Sequence, residues 1–203
     1  KVADLKNFWN GQKNIEIMDP NILACSDWEN LLNQLIYSNA YVNFNQGIDI
    51  RLLTEKKQLL LNKIKYKRLH FAWDNAKDLK TFEMLKEYRK GFKGNYRNLM
   101  VYCLTNYNST IEEDLFRIYK LSEIGYEPYV MIYNKNTAPL KIKQIQRWCN
   151  NKILFRSIKD FKDYDRKGHK INKSIAYKNN NPAVYIDDEN QYAIDFEKIE
   201  MQY

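Results

Sequence analysis

An α/β fold built on parallel strands is the class this sequence predicts, and three observations carry it. Short runs rich in β-formers alternate with amphipathic stretches every 25–30 residues or so, the length of one strand–helix unit. Only 4 Pro and 6 Gly occur in 203 residues, too few for a turn-rich β-sandwich. Apolar residues make up 44% and charged residues 29% of the chain, an ordinary balance for a packed domain. Strictly alternating units force the strands parallel, with crossover helices packed against the sheet. Five such units suit either an open doubly wound sheet or a segment of a β/α barrel.

The expected strands are Ile15–Met18, Tyr41–Phe44, Leu69–Trp73, Met100–Leu104 and Tyr129–Ile132. Between the first two, Ser26 and Glu29 have capping-box spacing, and Trp28, Leu31, Leu32, Leu35 and Ile36 then mark one helical face. Thr54 starts a second helix carrying Leu60, Leu61 and Ile64, and a third runs from about Lys77 to Tyr88 with Phe82, Met84 and Leu85 inward. Thr110 and Glu113 form another capping box ahead of Leu115, Ile118 and Leu121, with Gly125 at the far end. A fifth helix, Leu140–Asn150, turns Ile142, Ile145, Trp148 and Cys149 to the core. Past Phe155 the pattern breaks, so the expected domains are a β/α body at 1–155 and a polar extension at 156–203. In the extension, Ala183–Ile186 and Tyr192–Phe196 read as a β-hairpin.

Several function classes drop out. There is no Gly-x-Gly-x-x-Gly and no Gly-x-x-x-x-Gly-Lys, which removes dinucleotide and P-loop readings. No apolar run approaches the roughly 18 residues of a membrane helix, and the N-terminus is not signal-like. The three cysteines, Cys25, Cys103 and Cys149, are dispersed and form no Cys-x-x-Cys, so neither a disulfide framework nor a self-contained metal site is expected. A reducing, cytoplasmic setting is therefore expected. The net charge of +8 invites a nucleic-acid reading, but 25 Lys stand against 8 Arg and the bias is spread along the chain. The run Lys56, Lys57, Lys63, Lys65, Lys67 and Arg68 reads as a solvated helix face. His70 reads as a packed strand residue, and Tyr102 and Tyr133 do not by themselves imply a stacking platform.

The segment just past each strand is more informative. Polar residues recur there: Asp19 and Asn21, then Gln46, Asp49 and Arg51, then Asp74 and Asn75, then Thr105, Asn106 and Asn108. The carboxyl edge of a parallel sheet is where such folds bind ligands. Turn-forming and capping account for Asn108 and Thr110, but not for Asp49 and Arg51 inside Ile48, Ile50 and Leu52. A charge pair in an apolar run is either mutually paired or turned to a ligand.

The ordered strings Ile-Met-Asp19-Pro20-Asn21-Ile-Leu-Ala, Val-Asn-Phe-Asn-Gln46-Gly47-Ile-Asp49-Ile-Arg51 and His70-Phe-Ala-Trp-Asp74-Asn75 resemble radical SAM proteins of a bacterial and phage subgroup. Val-Tyr-Cys-Leu-Thr105-Asn106-Tyr-Asn108 and Arg147-Trp148-Cys149-Asn150 extend the resemblance, which covers about residues 12–164. It implies a partial β/α barrel, S-adenosylmethionine and a [4Fe–4S] cluster as cofactors, and reductive cleavage of the former at the latter. The family's Cys-x-x-x-Cys-x-x-Cys loop is absent here, so the first strand would match the family's second. The cluster unit is then expected ahead of Lys1, and this chain alone is expected to be inactive and to bind neither cofactor stably. Asp19-Pro20-Asn21 stands where the family has Gly-Gly-Glu. The resemblance implies that Asp19 or Asn21 meets the methionine ammonium and that Arg51, held by Asp49, meets its carboxylate. It further implies that Asp74 or Asn75 meets the ribose, and Thr105–Asn108 the adenine. The competing expectations are a polar-cleft module without catalysis and a basic nucleic-acid-associated protein. The substrate is not implied. The exposed first strand would be covered by dimerisation or by the hairpin.

Overall fold

The computed structural model describes residues 3–164. Five parallel strands lie side by side in chain order. They are β1 (Asn14–Ile17), β2 (Tyr41–Phe44), β3 (Lys65–Ala72), β4 (Leu99–Thr105) and β5 (Glu127–Ile132). The intervening helices are α1 (Trp28–Ser38), α2 (Glu55–Leu61), α3 (Leu79–Gly91) and α4 (Ile111–Glu123), with α5 (Leu140–Asn150) and the short α6 (Lys152–Ser157) after β5. The sheet is open, ending at β1 and β5, so no closed barrel forms among the described residues. The expected hairpin at Ala183–Phe196 lies outside them.

Strand order equal to chain order, with right-handed crossovers, sends every helix to one face of the sheet. Burial follows that geometry. Val42, Phe44, Leu69, Phe71, Leu99, Val101 and Cys103 point into a core completed by Leu32, Leu35, Leu61, Leu85, Tyr88, Phe116 and Leu121 from the helices. Each such side chain removed from water stabilises the fold by about 1.5–3 kcal/mol. A second cluster joins Val130 to Leu115, Ile118, Ile142, Ile145 and Trp148, and Phe161 closes it. The chain therefore keeps packing past Phe155.

Most element ends follow local chemistry. Thr54 accepts from Lys57 N to start α2, and the Thr110–Glu113 box is made in both directions. Gly125, at φ +83°, ends α4. Ser26 does not cap α1: Asp27 occupies the cap position, and its carboxylate accepts from the Asn30 amide. The basic run divides. Lys56 and Lys57 sit on α2, whereas Lys65, Lys67 and Arg68 belong to β3. Val42 pairs with Tyr66 but Asn43 pairs with Arg68, so Lys67 is an extra residue, a bulge in β3.

Candidate functional site

A cavity of about 410 Å³ opens at the carboxyl ends of β1, β2 and β3. Asn21, Gln46, Asp49, Arg51, Asp74 and Asn75 all line it, brought from three separate loops. Each is placed by local bonding. Asp19 Oδ1 accepts from Asn21 N at 2.8 Å, a tight turn that sets the Asn21 side chain. Gly47, at φ +85°, turns the chain beyond β2, and Ile48 N then donates to His70 O at 2.7 Å. Asp49 caps the helical turn Ile50–Leu52 and grips Arg51 with both oxygens, Nε at 2.8 Å and Nη2 at 2.9 Å. Asp74 Oδ1 accepts from Leu104 N at 2.9 Å, and Asn75 Oδ1 from Lys77 N at 3.0 Å.

The electrostatics of this rim are lopsided. Hydrogen bonding to Arg51 holds the Asp49 carboxyl below its ordinary value, against the opposing effect of burial. Arg51 is raised chiefly by Asp49 and further by the charges of Asp78 and Asp74. One exposed guanidinium thus faces three carboxylates, and Arg51 Nη1 has no hydrogen-bond acceptor among the described residues. Asn21 Oδ1 is buried and finds no donor among the described residues. Such a site accepts hydrogens from ammonium and hydroxyl groups and offers one cationic fork to a carboxylate.

The other four expected residues do not line the cavity. Asp19 is exposed and orients Asn21. Thr105 is fully buried, its hydroxyl donating to Met131 O at 3.2 Å. Asn106 and Asn108 both adopt left-handed backbone, at φ +61° and +50°, to turn β4 toward α4, and Asn106 Nδ2 donates to Tyr133 O at 3.0 Å.

Behind the rim lies an ion pair that the sequence patterns did not single out. Arg117 and Asp114 are both fully buried, 2.5 Å apart. Arg117 also donates to Trp73 O and Leu104 O, each at 2.8 Å, so it ties the carbonyl just past β3 to one near the end of β4, beside Asp74. Ser109 Oγ and Asn106 N donate to Asp114. Burial pushes the Asp114 carboxyl up, and the guanidinium opposes it. The signal was present: on a 3.6-residue period both charges fall in the arc of Leu115, Ile118 and Leu121.

The closure of β5 was equally unforeseen. Asn150 Oδ1 accepts from Val130 N at 2.8 Å while its Nδ2 donates to Val130 O at 2.9 Å. One side-chain amide so imitates a neighbouring strand. Nothing in the sequence around Asn150 distinguishes it from a helix-ending asparagine.

No group of three His, Cys, Asp or Glu side chains that could hold a metal ion occurs among the described residues. Burial pushes the Cys103 thiol up to about 12 and raises Cys149 as well, so both behave as small core residues. No described helix is long and apolar enough to cross a membrane. No known family, curated protein or solved structure matches the chain.

Proposed function

We propose that this chain forms the S-adenosylmethionine-binding rim of a partial β/α barrel of the radical SAM kind, on a substrate the sequence does not name. The observation that supports it is the convergence of Asn21, Gln46, Asp49, Arg51, Asp74 and Asn75 on one cavity at the carboxyl edge of a sequentially ordered parallel sheet. The cavity volume lies in the range of small-molecule sites.

The residues present fit the cofactor. The orphaned Asn21 Oδ1 is an acceptor in need of a donor, which the methionine ammonium supplies. Arg51, steadied by Asp49, presents Nη1 to the methionine carboxylate. Asp74 uses one oxygen to hold Leu104 N and keeps the other for a ribose hydroxyl. Asn106 and Asn108 stand one strand further along, for the adenine edge. The cofactor would supply hydrogen-atom abstraction only after one-electron reduction, with the electron coming from the cluster. The described residues do not fit a [4Fe–4S] cluster, and in this reading its ligands lie outside residues 3–164.

Isothermal titration of the chain with S-adenosylmethionine tests the reading. Weak but saturable binding is expected of the chain without its cluster unit, weakened about tenfold further by Arg51→Ala and by Asp74→Ala, since hydrogen bonds to charged groups contribute about 1.5–3 kcal/mol. An absence of heat and of NMR shifts at millimolar cofactor, in protein whose unfolding transition is normal, would overturn it.

A further inference from the structure

The helices cover one face of the sheet, and the other face carries side chains of a different kind. Glu16, Asn43 and Lys67 meet there: Asn43 Nδ2 donates to Glu16 at 2.6 Å, Asn45 Nδ2 donates to the same oxygen at 2.8 Å, and Lys67 Nζ stands 3.6 Å from its other oxygen. Further along, His70 stacks on Tyr102 with centroids 5.0 Å apart and planes 10° from parallel, and Tyr102 meets Tyr129 edge-on at 5.8 Å. His70 Nδ1 donates to Phe44 O at 2.8 Å and Tyr102 Oη to Asn45 O at 3.1 Å, so two of the rings are fixed in place. Tyr129 is 37% exposed.

Two features of this face are unfinished. Asn43 Oδ1 is buried without a donor. Arg68, turned to the same side by the bulge at Lys67, is exposed and has no partner among the described residues. Its charge adds to the burial that lowers His70 and Lys152, and opposes the burial that raises Tyr102. An unpaired cation therefore lies on the same strand as His70, two residues before it and at one end of the aromatic run.

We infer that this sheet face, which carries none of the described helices, binds single-stranded nucleic acid, with a base stacked on Tyr129, a phosphate on Arg68, and Asn43 Oδ1 accepting from a base N–H. Aromatic rings interleaved with cations on a sheet are the chemistry of such surfaces, and the net charge of +8 favours a polyanion. The spacing favours a strand over a lone nucleotide. Ala72 is in register with Tyr102 and Tyr129, four residues beyond Arg68 and two strands away. That places the Arg68 and Tyr129 backbones roughly 16 Å apart, farther than one base lies from its own phosphate. The inference rests on the sheet face and not on the cofactor reading of the rim.

Fluorescence anisotropy with a labelled oligothymidylate of about eight nucleotides tests it, a pyrimidine probe being unsuited to an adenosine site. Binding is expected to weaken steeply between about 50 and about 200 mM salt. Tyr129→Ala and Arg68→Ala are each expected to weaken it about fivefold or more, and Arg68→Ala to lower the salt slope by about one. Lys90→Ala, on the far face of α3, is expected to leave it unchanged, and excess S-adenosylmethionine is expected not to compete. Tyr129→Phe retains the ring and restores binding, which separates stacking from folding. Any of four results overturns the inference: no binding at low salt, equal loss in Lys90→Ala and Arg68→Ala, competition by thymidine monophosphate as strong as by the oligomer, or displacement by S-adenosylmethionine.

Discussion

Replacing Arg117 by Met removes a guanidinium that makes three hydrogen bonds in a fully buried position, two to the carbonyls of Trp73 and Leu104 and one to Asp114. The methionine fills much of the volume but leaves Asp114 as a buried carboxylate without its counter-charge. Removing one partner of such a pair costs about 3–5 kcal/mol, a large share of the roughly 5–15 kcal/mol that holds a domain folded. For a chain of this size the melting temperature should fall by roughly 6–20 °C. Urea unfolding detected by tryptophan fluorescence and circular dichroism reads the loss. Two internal controls sharpen it. The double variant Arg117→Met with Asp114→Leu removes both charges and should recover part of the deficit, because no uncompensated ion remains. In the single variant the Asp114 carboxyl keeps the burial that already pushes it up and loses the charge that opposed it. A carboxyl whose folded pKa exceeds its unfolded value stabilises below the unfolded pKa and loses that contribution as pH rises. The deficit should therefore shrink from pH 7 toward pH 4. A loss under about 1 kcal/mol, or a double variant as unstable as the single one, would refute the latch.

Burial, with a smaller contribution from Arg68, lowers His70 below its ordinary value, so the folded protein resists its protonation. Stability from this group is present above the unfolded pKa near 6.5 and falls as pH drops through it. Proton titration by NMR should give His70 a value below 6.5, and His70→Phe should flatten the stability profile between about pH 5 and pH 7. An unshifted titration would remove the stacked, carbonyl-anchored imidazole from the account. Asn150→Leu should leave Val130 N–H without its partner, while Gln146 Nε2 still donates to Val130 O at 3.2 Å, and cost about 1–3 kcal/mol. Hydrogen exchange at Val130 should accelerate well ahead of exchange at Val101, and equal protection in both proteins would show that another group closes the β5 edge.

The five strands, the five longer helices and the caps of α2 and α4 were legible in the residues, because each depends on neighbours within a turn or two. Alternation sets strands apart from helices, Thr54 and Thr110 need only the backbone three residues on, and strict β–α succession leaves parallel pairing as the one arrangement. The polar residues after each strand were legible for the same reason, since parallel strands share one carboxyl edge.

Which of those residues meet was decided in three dimensions. Asn21, Arg51 and Asp74 converge because β1, β2 and β3 are adjacent, while Thr105 turns into the core, and no local pattern separates the two outcomes. The bulge at Lys67 reversed the facing of a basic run that looked helical, since one extra residue exchanges the two faces of a strand. The Arg117 latch, the Asn150 closure and the His70–Tyr102–Tyr129 run each join groups many residues apart or strands apart. Periodicity determines which side of its own element a residue takes; only the packing of one element on another determines what it touches there.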